Sequence, residues 1–100
     1  MYVVIKTITV PKDKSSEMAA KFDFGDKYHQ FGGFVKEEVG VSEGRNEDTV
    51  VVIDYWQDHE SFKNWHGSAE HREGHRNRPK PDYPMEVKHF TFELLDKTHR

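Results

Sequence analysis

Thr49-Val50-Val51-Val52-Ile53-Asp54-Tyr55-Trp56 is the stretch on which the fold turns. Its β-branched residues favour an extended backbone and fall at both even and odd positions, so the strand they form carries apolar side chains on each face. Tyr2 to Val10 reads the same way, with Val3 and Ile5 on one side and Tyr2, Val4, Ile8 and Val10 on the other. Both strands are expected to be buried from two directions.

Working outward from these strands, Pro11 ends the first, and Asp13 is placed to cap a helix. Met18, Ala19 and Phe22 then fall at the spacing of one apolar helical face, which predicts a first helix from Lys14 to Asp23. Gly25, Gly32 and Gly33 break the aromatic and polar stretch that follows into a loop or irregular helix. Phe34 to Val41 is a second strand with a partly solvated face at Lys36 and Glu38. The charged turn from Ser42 to Asp48, containing Gly44 and Asn46, joins it to Thr49–Trp56 as a hairpin. Asp58 can cap a second helix carrying Phe62 and Trp65 on one side, and Ser68, after Gly67, can start a further turn or two reaching His75. Pro79, Pro81 and Pro84 forbid helix, so Arg78 to Pro84 is expected to be an extended connector. Met85 to Leu95 is the last strand, with Phe90, Phe92 and Leu94 on one face.

The order β-α-β-β-α-β is that of an α+β, ferredoxin-like fold, in which both helices pack on one face of a four-stranded antiparallel sheet. Two helices cannot cover two faces. The doubly apolar strands therefore call for a second copy, and the sequence predicts a homodimer whose sheets face each other as a dimeric α+β barrel.

One hundred residues make a single domain, 1–100, without room for separate catalytic and binding modules. With no cysteine, disulfides, thiolate metal sites and thiol nucleophiles are excluded. A net charge of −3, with both signs interspersed, gives no general electrostatic argument for nucleic acid. The start lacks a signal-peptide pattern and no apolar run approaches a membrane span, so no membrane partner and a cytoplasmic location are expected.

The densest cluster of chemistry-bearing side chains is Trp65 to His75, with His66 and His71 between them. His71 and His75 share an i, i+4 spacing that can bind zinc, but no third ligand stands in an obvious motif. A lone histidine is ordinarily a solvated or hydrogen-bonded surface group, and tryptophans such as Trp56 and Trp65 are ordinarily core. Trp65, however, lies close enough to His75 for a flat ligand to rest on the indole while the imidazole reaches a metal at the ligand's centre. Arg72, Arg76, Arg78 and Lys80 would meet acidic groups at the edge of such a macrocycle; a solvated basic surface is the plainer account of the same residues.

Val52-Ile53-Asp54-Tyr55-Trp56, then Trp65, then His75, followed by Arg78-Pro79-Lys80-Pro81-Asp82-Tyr83 and Met85-Glu86-Val87, resembles the haem-degrading branch of the antibiotic biosynthesis monooxygenase superfamily. The resemblance spans nearly the whole chain. It implies that His75 is the proximal ligand to haem iron, that Trp65 packs against the porphyrin and distorts it, and that Phe22 lines the same pocket. Arg76, from the basic cluster, is a candidate for the haem edge. Better-known members carry an asparagine near the iron on the first strand; this chain has Lys6, which offers donors and a charge but no carbonyl. The implied activity is a haem oxygenase reaction. Haem is both substrate and cofactor, an external electron donor reduces it, and O2 opens the ring and frees iron. Other readings keep the fold and change the chemistry. One is a cofactor-independent monooxygenase in which Trp65, His66 and His75 orient and deprotonate an aromatic or quinone substrate. Another is a haem-binding protein without catalysis, and a third is a dimeric domain with no ligand.

Overall fold

The structure is a computed structural model that describes residues 1–22, 25, 28–68, 71 and 81–95. Four strands, β1 (Tyr2–Pro11), β2 (Phe34–Glu43), β3 (Glu47–Trp56) and β4 (Glu86–Glu93), form one sheet in the order β2-β3-β1-β4 with every neighbour antiparallel. Two helices complete it, α1 (Ser15–Ala19), entered through a 3-10 turn at Lys12–Lys14, and α2 (His59–His66). The ferredoxin-like expectation is borne out, and the two strands read as apolar on both faces are the central pair.

Register sorts the side chains into two layers. Val52 lies opposite Lys6, which lies opposite His89, and Val50 opposite Ile8; this layer faces the helices. Its core is Ile8, Val10, Val50 and Val52 closed by Met18 and Phe22 from the first helical segment, each 8% exposed or less. Burying an aliphatic side chain of this kind contributes about 1.5–3 kcal/mol, so this layer holds α1 to the sheet. The other layer contains the row Ile53, Ile5, Phe90, and among the described residues Phe90 stays 59% exposed.

Three expectations change in detail. The first helix does not start on an Asp13 cap, and its α-helical part ends at Ala19. The chain there is tied to the hairpin instead. Lys12 Nζ donates to the Gly44 carbonyl at 2.6 Å and to Asp48 at 2.9 Å, and Ser15 Oγ donates to Asp48 at 2.9 Å. With both residues anchored there, Lys12–Lys14 takes the tighter 3-10 form, and 3.1 Å turns onto Met18 and Ala19 close the segment at Lys21 and Phe22. The hairpin turn is shorter than Ser42–Asp48, because pairing continues to Glu43 and Glu47. Finally, the register shifts between Phe34 and Lys36, leaving Val35 as an extra residue. That bulge puts Phe34 on the helix side together with Glu37 while Lys36 and Glu38 keep the open side. Among the described residues no helix is long and apolar enough to cross a membrane.

Candidate functional site

Helix α2 begins as expected. The Asp58 carboxylate accepts the Ser61 N–H at 2.8 Å, and this bond holds the Asp58 carboxyl below its ordinary range. Phe62 and Trp65, three positions apart, then face the sheet together. Trp56 at the end of β3 is fully buried beneath them, its ring stacked 5.7 Å from Trp65 and edge-on to Phe62 at 6.2 Å. Tyr28, which the sequence left in a loop, and Phe34, at the start of β2, complete the cluster. Tyr28, 6% exposed, sits 4.9 Å from Trp65 with its ring nearly perpendicular, and Phe34 packs 5.1 Å from Tyr28 and 5.2 Å from Trp56. Gly25 makes this packing possible: its φ of +90° turns the chain back, and a Cβ there would overlap the Phe34 ring.

Trp65 itself remains half-buried, unlike Trp56. Beyond the helix, Gly67 forms the C-cap, and the Ser68 hydroxyl donates to the Trp65 carbonyl at 2.6 Å while accepting the His71 N–H at 3.2 Å. This second turn brings the His71 ring to 4.2 Å from the Trp65 indole and 4.8 Å from the His66 ring. His75 and Arg76 lie outside the described residues, as do Arg72, Arg78 and Lys80.

On the sheet side, Lys6 and Phe22 occur together. The Lys6 ammonium lies 5.2 Å from the centroid of the buried Phe22 ring, in cation–π range. The β1 position and the first helical segment thus supply one unit of the helix-side floor, polar at one point and apolar around it. Glu37, not foreseen as a buried group, is 5% exposed with both carboxylate oxygens buried and, among the described residues, without a hydrogen-bond partner, opposite Asp54 across the β2–β3 pair. Solvated Lys36 and Glu38 on either side of it mask this position in the sequence. A shallow cleft of about 340 Å³ lies elsewhere, at the Pro11 end of β1, lined by Thr9, Asn46 and Met85 among others. It contains none of these aromatic or histidine side chains.

The chain can be set beside proteins already characterised. A "Heme-degrading monooxygenase" of Halalkalibacterium halodurans is 30% identical over 95 residues, covering 94% of this chain and 82% of that protein. A "Heme oxygenase (staphylobilin-producing)" of Staphylococcus haemolyticus is 35% identical over 81 residues, covering 80% and 78%. Among solved structures, a Bacillus cereus protein assigned to the antibiotic biosynthesis monooxygenases superposes with a TM-score of 0.80 at 30% identity, covering 96% of this chain and 92% of that one. The family model described as "Antibiotic biosynthesis monooxygenase" matches residues 1–77, from β1 through α2 and the Ser68 turn. The family model and these relatives agree on one conclusion: the chain belongs to the antibiotic biosynthesis monooxygenase family.

Proposed function

We propose that this protein is a haem-degrading monooxygenase. It binds haem against Trp65 on the helix side of the sheet, and with O2 and electrons from an external donor it opens the porphyrin and releases iron. The observation that carries the reading is Trp65: a half-buried indole backed by Trp56, Tyr28 and Phe62, with an imidazole already brought to 4.2 Å of its ring. The names of the curated relatives point to the same substrate.

The residues suit a flat, largely apolar ligand with an acidic edge. Phe22 and Trp65 offer apolar ring surface, and the Lys6 ammonium stands beside Phe22 as a polar point on the floor. In this reading His75 holds the iron through a ring nitrogen, and Arg76 pairs with the carboxylates at the ligand's edge. Haem, when bound, supplies both the iron that activates oxygen and the ring that is oxidised. Trp65 has no room to retreat, because Trp56 is 0% exposed and stacked behind it, so a ligand pressed on the indole bends rather than displaces it. Lys6 presents N–H donors on the floor. We further propose that residues 1–100 act as one domain and that the open layer at Ile53, Ile5 and Phe90 is covered by a second copy.

The test is a ferric haem titration of the wild type, His75→Ala and Trp65→Ala, followed by reductant under air. His75→Ala should lose the imidazole ligand-field spectrum and turnover. Trp65→Ala should lose more rate than affinity, since the iron–nitrogen bond does most of the holding. Equal loss of affinity in both variants would contradict this division, and no Soret shift with wild type would overturn haem binding in favour of the cofactor-independent chemistry.

A further inference from the structure

Outside the proposed roles of Trp65 and His75, the molecule holds a second arrangement of ligating groups, His66 and His71. Their ring centroids are 4.8 Å apart with the planes inclined by 40°. Two imidazoles bound to one ion, with metal–nitrogen bonds of about 2.0–2.1 Å and a tetrahedral or right-angled opening, hold their centroids roughly 4.5–5.2 Å apart. The observed spacing falls inside that interval. Each ring is also braced from behind: His66 stacks on Phe62 at 5.4 Å, and His71 meets the Trp65 edge at 4.2 Å. The Ser68 hydroxyl, bonded to the Trp65 carbonyl and to the His71 N–H, ties the two together. Little ordering is left to be done by an incoming ion.

We propose that His66 and His71 form a two-imidazole site for a divalent first-row transition ion at the rim of the Trp65 cluster. Resting on the haem-degrading reading, we assign its cargo as the iron freed when the ring opens. Imidazole suits iron, zinc, copper and nickel alike, so the pair selects by position rather than by ligand type. Among the described residues no third histidine, aspartate or glutamate joins them. His66 is exposed and His71 half-buried, so the pair spans the step from the Trp65 cluster to solvent. That position suits a site that passes an ion from the cluster to solvent.

Co2+ titrated into the haem-free protein tests the site without any turnover. One equivalent should shift and broaden the imidazole signals of His66 and His71 and the Trp65 indole ahead of those of His29, His59 and His89. Calorimetry should give one site weakened at least tenfold by His66→Gln and by His71→Gln. Unchanged binding in both variants, or broadening spread evenly over all histidines, would overturn it. For the cargo, wild type and His66→Gln are given haem and reductant with an external ferrous chelator present. The variant should consume haem at the wild-type rate while its iron reaches the chelator at least threefold more slowly. Equal iron release overturns the cargo assignment. Co2+ binding at His66 and His71 with haem left intact overturns the haem reading and retains the site.

Discussion

Gly33→Ala should destabilise the protein by about 2–5 kcal/mol, and the two causes can be separated. Gly33 has φ +88°, a conformation that costs an L-residue about 1–2 kcal/mol. It also faces the first turn of α2, where a Cβ would overlap the Ser61 side chain. Relieving such an overlap costs about a further 1–3 kcal/mol. The Gly33 carbonyl accepts the Gln57 N–H at 2.6 Å, so the strand entry cannot swing away without losing that bond. At about 4–8 °C per kcal/mol for a chain of this size, the melting temperature should fall by at least about 8 °C. Thermal unfolding followed by circular dichroism measures it. Gly32→Ala is the control: nothing lies within 4 Å of a Cβ there, and the change should stay within about 0.5 kcal/mol. Ser61→Gly removes the overlapping atoms, so the double-mutant cycle should show a coupling of about 1–3 kcal/mol, with the backbone cost remaining. A Gly33→Ala protein that melts with the wild type, or a cycle without coupling, would refute the reasoning that this glycine seats α2.

Further outcomes follow from the same packing. Lys12 and Ser15 hydrogen bonds hold the Asp48 carboxyl below its ordinary value of 3.8, so the stability it contributes is present above that value and lost as pH falls through the lower folded value. Asp48→Asn should therefore be less stable at neutral pH, and its stability-versus-pH curve should converge on wild type below about pH 4; parallel curves would exclude the linkage. Glu37→Gln should stabilise by at least about 1 kcal/mol, because it replaces a buried carboxyl that has no hydrogen-bond partner among the described residues and lies opposite Asp54 across the strand pair. A lower denaturant midpoint would contradict this. Phe90→Glu, on the open layer, should convert a dimer to monomer in light scattering, and a wild type that is already monomeric would remove the second copy from the account.

Alternation made the sheet legible, since Val3 and Ile5 against Ile8 and Val10 report two buried layers in any register. The Asp58 cap was readable for a similar reason: its hydrogen bond is local, closing over three residues. What escaped the sequence depends on distant partners. The start of α1 is set by Asp48, more than thirty positions away, through Lys12 and Ser15. Tyr28 reaches Trp65, and Phe34 reaches Trp56, only because Gly25 turns back and Val35 bulges, and neither event leaves a hydrophobic period. Trp65 could be singled out by composition, but the sequence paired His71 with His75 as a possible zinc ligand and not with the Trp65 ring, which it meets at 4.2 Å.

The most direct test of the central claim is a balance of haem against iron. One equivalent of ferric haem is bound to the protein and reduced with ascorbate under air, with catalase present to remove free peroxide. Soret absorbance and chelator-trapped iron are followed together. The account predicts that the Soret band disappears and that close to one iron appears per haem lost, with both losses abolished in His75→Ala. A Soret band that persists for hours in the wild type, with no iron trapped, would contradict it.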